Sequence, residues 1–216
     1  MAKFFNYYPK TFYLSNNSVA GAESVTNIIA RFSFEQNLKE NSVAFYEYNI
    51  QESDTPEIIA HKYYDDVERH WMVLLFNDII DPQWDWPLKY NDLIQYIDKK
   101  YTANGAANTT PQTGLAWALS ENNVESYIKI ITTTGSDGTI SVERINLDAN
   151  SYANVVASTN TYTTANNENV TIEISKETRS YYTYELEENE KKRTIKLLKK
   201  EFANEVEKEF KRVVSV

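Results

Sequence analysis

Two hydrophobic periods alternate along this chain, and the places where one gives way to the other mark its expected elements. From Glu23 the run ESVTNIIARF spaces Val25, Ile28, Ile29 and Phe32 as on one helix face, while the following FSFEQNL alternates as a strand does. A short helix and then a strand or extended arm are expected there. The apolar and aromatic run VAFYEYNI, residues 43–50, reads as a strand ended by the polar QESD. Ser53 or Asp54 then serves as an N-cap, with Pro56 near the first turn and Glu57 at capping-box spacing from Asp54. The helix PEIIAHKYY would bury Ile59 and Tyr63. A second helix, opening at Asp65 or Asp66, carries the stripe Val67, Trp71, Leu74 and Leu75. Asn77 and Asp78 mark its end, before a turn at Asp81 and Pro82. A third, NDLIQYIDKKY, capped by Asn91 or Asp92, sets Leu93, Ile97 and Tyr101 on one face.

Residues 102–123 break the pattern with Ala, Asn and Thr and read as a linker or surface loop. Beyond them the period is that of strands. VESYIKII and GTISVERI flank the GSDG turn as a β-hairpin, and SYANVV and VTIEI continue a small β-rich subdomain. The chain closes with YYTYEL, expected as a strand from Tyr181, and then with an amphipathic helix. On that helix Ile195, Leu198, Phe202, Val206, Phe210 and Val213 recur at three or four residues. The expected fold class is α+β, in four segments: an aromatic N-terminal arm with a short helix (1–43), a strand–helix–helix module with a following helix (44–101), an inserted β-rich subdomain (102–178), and a strand with a long C-terminal amphipathic helix (179–216).

Composition narrows what such a fold can do. The 216 residues suffice for one or two domains with real cores. Sixteen tyrosines suit either protein-facing surfaces or half-buried strand faces. The net charge of −9 disfavours nucleic acid and an anionic membrane surface as partners, because phosphate binding needs a cationic face. No apolar stretch reaches the roughly 18 residues of a membrane-spanning helix, and MAKFFNYYPK lacks the apolar run of a signal peptide. The absence of cysteine excludes disulfides and thiolate metal sites and fits a reducing compartment, so a soluble protein made in a cytoplasm is expected. Charge is uneven: residues 191–212 hold nine Lys/Arg and four Glu, a local +5 against −14 elsewhere. A basic terminal helix would dock either on its own acidic body or on an acidic neighbour.

No residue set reads as an active site. His61 and His70 stand nine residues apart on expected helices and cannot share a face as a zinc-binding H-E-x-x-H pair does. The many aspartates fit neither an EF-hand loop nor a pair across a cleft, and neither a phosphate-binding glycine loop nor a G-x-S-x-G serine is present. Catalysis, cofactor and metal are therefore not expected. What stands out is aromatic. Phe4, Phe5, Tyr7, Tyr8, Phe12 and Tyr13, around Pro9, cannot bury their rings among themselves and must lie on the body of the protein or on a partner. Trp84 and Trp86, in DPQWDWPL, either stack on a ligand or divide the work, one closing the core against Pro82 and Pro87 and the other meeting a partner. The partner-interface candidates are these rings together with Trp71, Ile195, Leu198, Phe202 and Phe210.

Residues 46–101 resemble a LysM module. Tyr48, the Asp54-Thr55 pair, Ile59-Ala60, Leu74 or Leu75, and Asn77 stand where that motif has similar residues. The module closes with a Gly-containing turn and a second strand, where this chain has a helical pattern. The resemblance implies a shallow glycan groove, lined by Ser53, Asp54 and Thr55 on one side and by Trp84 and Trp86 on the other, with weak peptidoglycan binding as an alternative function. More widely, FFNYYPKTFY, VTNIIARFSF, HWMVLLFNDIIDPQWDWPL and YTYELEENEKKRTIKLLKKEF together resemble a baseplate wedge protein of T4-like contractile-tailed phages, one containing a LysM-like domain. That likeness covers about two thirds of the chain at its two ends and leaves 102–178 without a counterpart. It implies a non-enzymatic virion subunit, made in the host bacterial cytoplasm as a late protein of tail assembly, that clamps neighbouring wedges in the tail baseplate. Its partners would be other wedge and tail proteins, with no cofactor, nucleic acid or membrane.

Overall fold

In the computed structural model, which describes residues 7–14, 22–28 and 33–214, the strand expected near Tyr46 forms as β3 (Phe45–Asn49). Its partner comes from the far end of the chain: β8 (Thr194–Leu198) runs antiparallel to it, from Phe45 opposite Leu198 to Asn49 opposite Thr194. Residues 1–89 and 190–216 accordingly form one compact unit and residues 90–189 another. The fold is α+β, as the hydrophobic pattern indicates.

In the first unit, α2 (Pro56–Tyr64), a 3₁₀ turn (Val67–Arg69), α3 (His70–Phe76) and the single turn α4 (Pro82–Asp85) follow β3, and α9 (Lys200–Val214) follows β8. Ile59, Ala60, Met72, Val73, Ile195 and Leu197 form the centre of its core, all at most 4% exposed. Each large side chain so buried contributes about 1.5–3 kcal/mol of transfer free energy. The cap of α2 is Thr55, whose hydroxyl accepts the Ile58 N–H at 3.3 Å, not Ser53 or Asp54. Pro56 at the first position explains the shift, since its fixed φ suits that place. The helix ends at Asp65, in left-handed geometry with φ 58°. Tyr64 rather than Tyr63 takes the fully buried position, and its hydroxyl donates to the Leu198 carbonyl at 2.8 Å. Because the 3₁₀ turn resets the helical phase, Val67 is exposed and the inward residues of α3 are Trp71, Met72, Val73 and Phe76.

The C-terminal stripe needs correction. Ile195 and Leu198 belong to β8, and α9 turns Ala203, Phe210 and Val214 inward while Val213 is exposed. The cation excess precedes that helix: α9 itself carries four Lys/Arg and four Glu, whereas Lys191, Lys192, Arg193, Lys196 and Lys199 come before it. Nearer the N-terminus, β1 (Lys10–Leu14) pairs antiparallel with β2 (Ala22–Thr26). The helix expected from Glu23 is therefore a strand over its first residues, because Lys10–Leu14 supplies main-chain partners and Val25 and Thr26 are β-branched. Ile29 and Phe32 lie outside the described residues. A short helix, α1 (Gln36–Glu40), stands where a strand or arm was expected.

In the second unit α5 (Tyr90–Ala106) buries Leu93, Ile97 and Tyr101 as its spacing predicts. The expected linker is instead the end of α5 and a further helix, α6 (Gly114–Leu119), capped by Thr113. Two glycines allow these helices to meet main chain to main chain. A Cβ on Gly114 would lie 2.1 Å from the Asp98 carbonyl oxygen, and one on Gly105 would lie 2.5 Å from that of Gln112. The β-hairpin forms as β4 (Val124–Thr134) and β5 (Ile140–Leu147), with Gly138 at φ +80° in its turn. SYANVV is not strand, because Asp148 caps a short helix there, α7 (Ala149–Ala153). With β6 (Ser158–Thr163) and β7 (Asn169–Ser180) the sheet order is β5-β4-β7-β6, antiparallel throughout. YYTYEL opens α8 (Tyr181–Lys191) and not a strand. The Ser180 hydroxyl accepts the Thr183 N–H, and Glu185 and Asn189, one turn apart, are buried. Glu185 is satisfied by Lys100 Nζ at 2.6 Å and the Tyr101 hydroxyl at 2.7 Å.

Candidate partner-binding surfaces

The rings singled out in the sequence divide into core and surface. Trp71 stacks on Phe210, with centroids 4.5 Å apart, and with Ile195 and Leu198 both lie in the core of the first unit. Phe202 is half-buried on α9. Tyr8 meets Phe210 edge-on at 6.3 Å, and Lys211 Nζ stands 4.6 Å above the Tyr7 ring, so this part of the arm lies on its own body. Beyond Pro9 the arm changes character. Phe12 is 77% and Tyr13 62% exposed. Being consecutive on β1, they project from opposite faces of the two-stranded ribbon. Val25 and Ile28, which the sequence spaced as on one helix face, are exposed as well. Phe4 and Phe5 lie outside the described residues.

The two loops of the expected glycan groove do come together. Asp54, Thr55, Trp86, Pro87, Lys89 and Arg193 are among the residues around a hollow of about 140 Å³, while Ser53 and Trp84 lie outside its walls. That volume is under half of the roughly 300 Å³ at which ligand pockets begin. Trp86 helps close it, its indole N–H donating to the Asp54 carbonyl at 3.2 Å. Trp84, by contrast, is 59% exposed, and its carbonyl accepts Lys192 Nζ at 2.6 Å.

Asp54, which the motif placed as a helix opener, is a buried junction. Its carboxylate accepts the Tyr48 hydroxyl at 2.6 Å, Lys62 Nζ at 2.6 Å and the Gln51 N–H at 3.0 Å. Burial alone would push the carboxyl up, but these bonds outweigh it and hold the group below its ordinary value. Burial and the neighbouring carboxylate push the Tyr48 phenol up to about 12. Such a group, with its lone pairs occupied by its own fold, orders the loop and is poorly suited to take a proton from a substrate. His61 is exposed, and the ring Nδ1 of His70 lies 3.1 Å from the Val67 carbonyl. Among the described residues, no cluster of three or more His, Cys, Asp or Glu could hold a metal ion, and no helix is long and apolar enough to cross a membrane.

Sequence reasoning missed an apolar groove of about 450 Å³ between Phe34, Leu38, Trp71, Leu75, Val206 and Phe210, rimmed by Glu35 and Glu209. Residues 33–40, α3 and α9 must all meet to bring these six together, so no local pattern announces them. The chain as a whole matches a family model described as Base plate wedge protein 53, over residues 3–213. The match runs across 102–178, where the sequence resemblance had left a gap. None of the curated proteins compared matches the chain.

Proposed function

The chain belongs to the base plate wedge protein 53 family, a structural component of the phage tail base plate that associates with other base plate proteins, and we propose that within the virion it clamps neighbouring wedge proteins together without catalysing a reaction. The observation that carries this reading is the β1–β2 ribbon, which holds Phe12, Tyr13 and Val25 in solvent, with Ile28 exposed just beyond its end. A two-stranded ribbon is marginal by itself in water, and apolar rings on both of its faces suit insertion between partner surfaces. Burying Phe12 and Tyr13 on a partner would contribute about 1.5–3 kcal/mol each, the size of interface hot spots. Trp84 is a further exposed anchor on the same unit. The strand–helix–helix–strand order of β3, α2, α3 and β8 supports a LysM-like reading in which the second strand is delayed by the inserted residues 90–189. In that reading the module serves as scaffold; peptidoglycan binding is the alternative, and the small hollow beside Trp86 does not favour it.

The test is assembly of base plates from purified or co-expressed wedge proteins with this chain present, absent, or carrying Phe12→Ser with Tyr13→Ser. Wedges should join into closed base plates only with the intact chain, and the double variant, folded as judged by circular dichroism, should lower their yield at least about tenfold. Closed base plates at full yield without the chain would refute the clamp.

A further inference from the structure

The four-stranded sheet has two edges, and they are unlike. β5 carries Glu143 and Arg144 at mid-strand, with Arg144 paired to Glu177 at 3.3 Å. Charge on an edge strand is a common protection against unwanted pairing, because a docking strand would have to bury it. β6, at the other edge, reads STNTYT and sits within residues 149–167, which contain neither a charged residue nor a proline. Its residues 159–163 are all exposed. β7 pairs with one side of it, from Ser158 opposite Ile174 to Thr163 opposite Asn169. On the other side alternate N–H and C=O groups face outward, as at any sheet edge. Thr159, Thr161 and Thr163 are β-branched and favour the extended form, so the strand is ready-made for continuation and lacks the charge that guards β5.

We propose that β6 is a strand-addition site, at which an extended segment of another base plate protein joins the sheet. This rests on the assembly role above. Charge selects the occupant. Residues 90–189 hold thirteen Asp/Glu against six Lys/Arg, so a second copy brought edge to edge would set two units of −7 against each other. A partner segment that is uncharged over the paired stretch and basic at its flanks meets no such repulsion. Main-chain hydrogen bonds supply the attraction, while Tyr162 and the threonines contact alternate side chains of the guest.

Hydrogen exchange of the full chain, free and in assembled base plates, tests this, with the exposed pair Thr159→Lys and Thr161→Lys as the perturbation. In the assembly, exchange across 158–163 should slow at least about tenfold, with β5 unchanged. The double variant should keep the free protein's circular dichroism and enter base plates at least about tenfold less. If the chain enters base plates while β6 exchanges as in the free protein, or if the lysine variant enters equally well, strand addition is wrong and the clamp stands. Slowing of β6 in the free protein with rising concentration would also overturn it, by showing a second copy as the guest. Base plates that exclude the chain altogether refute the clamp and the strand addition together.

Discussion

Replacing Asn77 with alanine should loosen β8 from α3 and so weaken the whole first unit. The Asn77 amide nitrogen donates to the carbonyls of Val73 and Lys196, both at 2.8 Å, and its oxygen accepts the Lys196 N–H at 2.7 Å. One side chain thus satisfies the main chain of Lys196, which lies opposite Glu47 of β3, and ties it to the last turn of α3. Three bonds at about 1 kcal/mol net each give about 3 kcal/mol, and return of water to this half-buried site lowers the value to about 2 kcal/mol. With a urea dependence of about 1.5 kcal/mol/M, the unfolding midpoint falls by about 1.3 M. Tryptophan emission is a suitable readout, since Trp71, Trp84 and Trp86 all belong to this unit, and loss of protection at the Lys196 amide gives the local signal. Asn77→Asp separates hydrogen bonding from shape, because it keeps the acceptor and points a carboxylate at two carbonyls. It should be at least as unstable as the alanine variant at neutral pH. The reasoning fails if the aspartate variant matches the native protein, or if the alanine variant shifts by less than about 0.3 M.

Gly114→Ala should destabilise the second unit by about 3 kcal/mol, since its methyl would meet main-chain atoms of α5 at 2.1 Å and 2.6 Å; an unchanged melting profile would show that the helices can part freely. Stability of the first unit should depend on pH at both ends. The Asp54 contribution is full above its ordinary value of 3.8 and is lost as pH falls through the depressed folded value, so Asp54→Asn flattens the acid limb. The Tyr48 contribution is full below its ordinary value of 10.0 and is lost as pH rises toward about 12, so Tyr48→Phe flattens the alkaline limb. Urea midpoints across that range check both, and parallel curves for variant and native protein would contradict them. On insoluble peptidoglycan the native chain should stay in the supernatant; firm retention, abolished by Trp84→Ala with Trp86→Ala, would establish the glycan alternative.

What the sequence determined by itself is what neighbours in the chain determine. The strand at Tyr46, the helical period of PEIIAHKYY and NDLIQYIDKKY and the turn before Thr139 all follow from local patterns, which need no knowledge of distant residues; the caps do not, since Thr55 rather than Ser53 or Asp54 opens the first of these helices and the second begins at Tyr90, ahead of Asn91 and Asp92. The family likeness was legible for the same reason, since it rests on runs such as HWMVLLFNDIIDPQWDWPL. Errors arose where a local pattern allowed two answers and a distant partner chose. Thr194–Leu198 fits a helical stripe, yet Phe45–Asn49 supplies the hydrogen bonds that make it a strand. Glu23 and Val25 fit a helix until Lys10–Leu14 pairs with them. Gly105 and Gly114 look like loop signals, and only the approach of α5 to α6 makes them contact residues. Tertiary structure also decided which rings are exposed, burying Trp71 and Phe210 against each other and leaving Phe12, Tyr13 and Trp84 in solvent. Burial depends on what arrives from elsewhere in the chain, and a list of apolar positions carries no record of that.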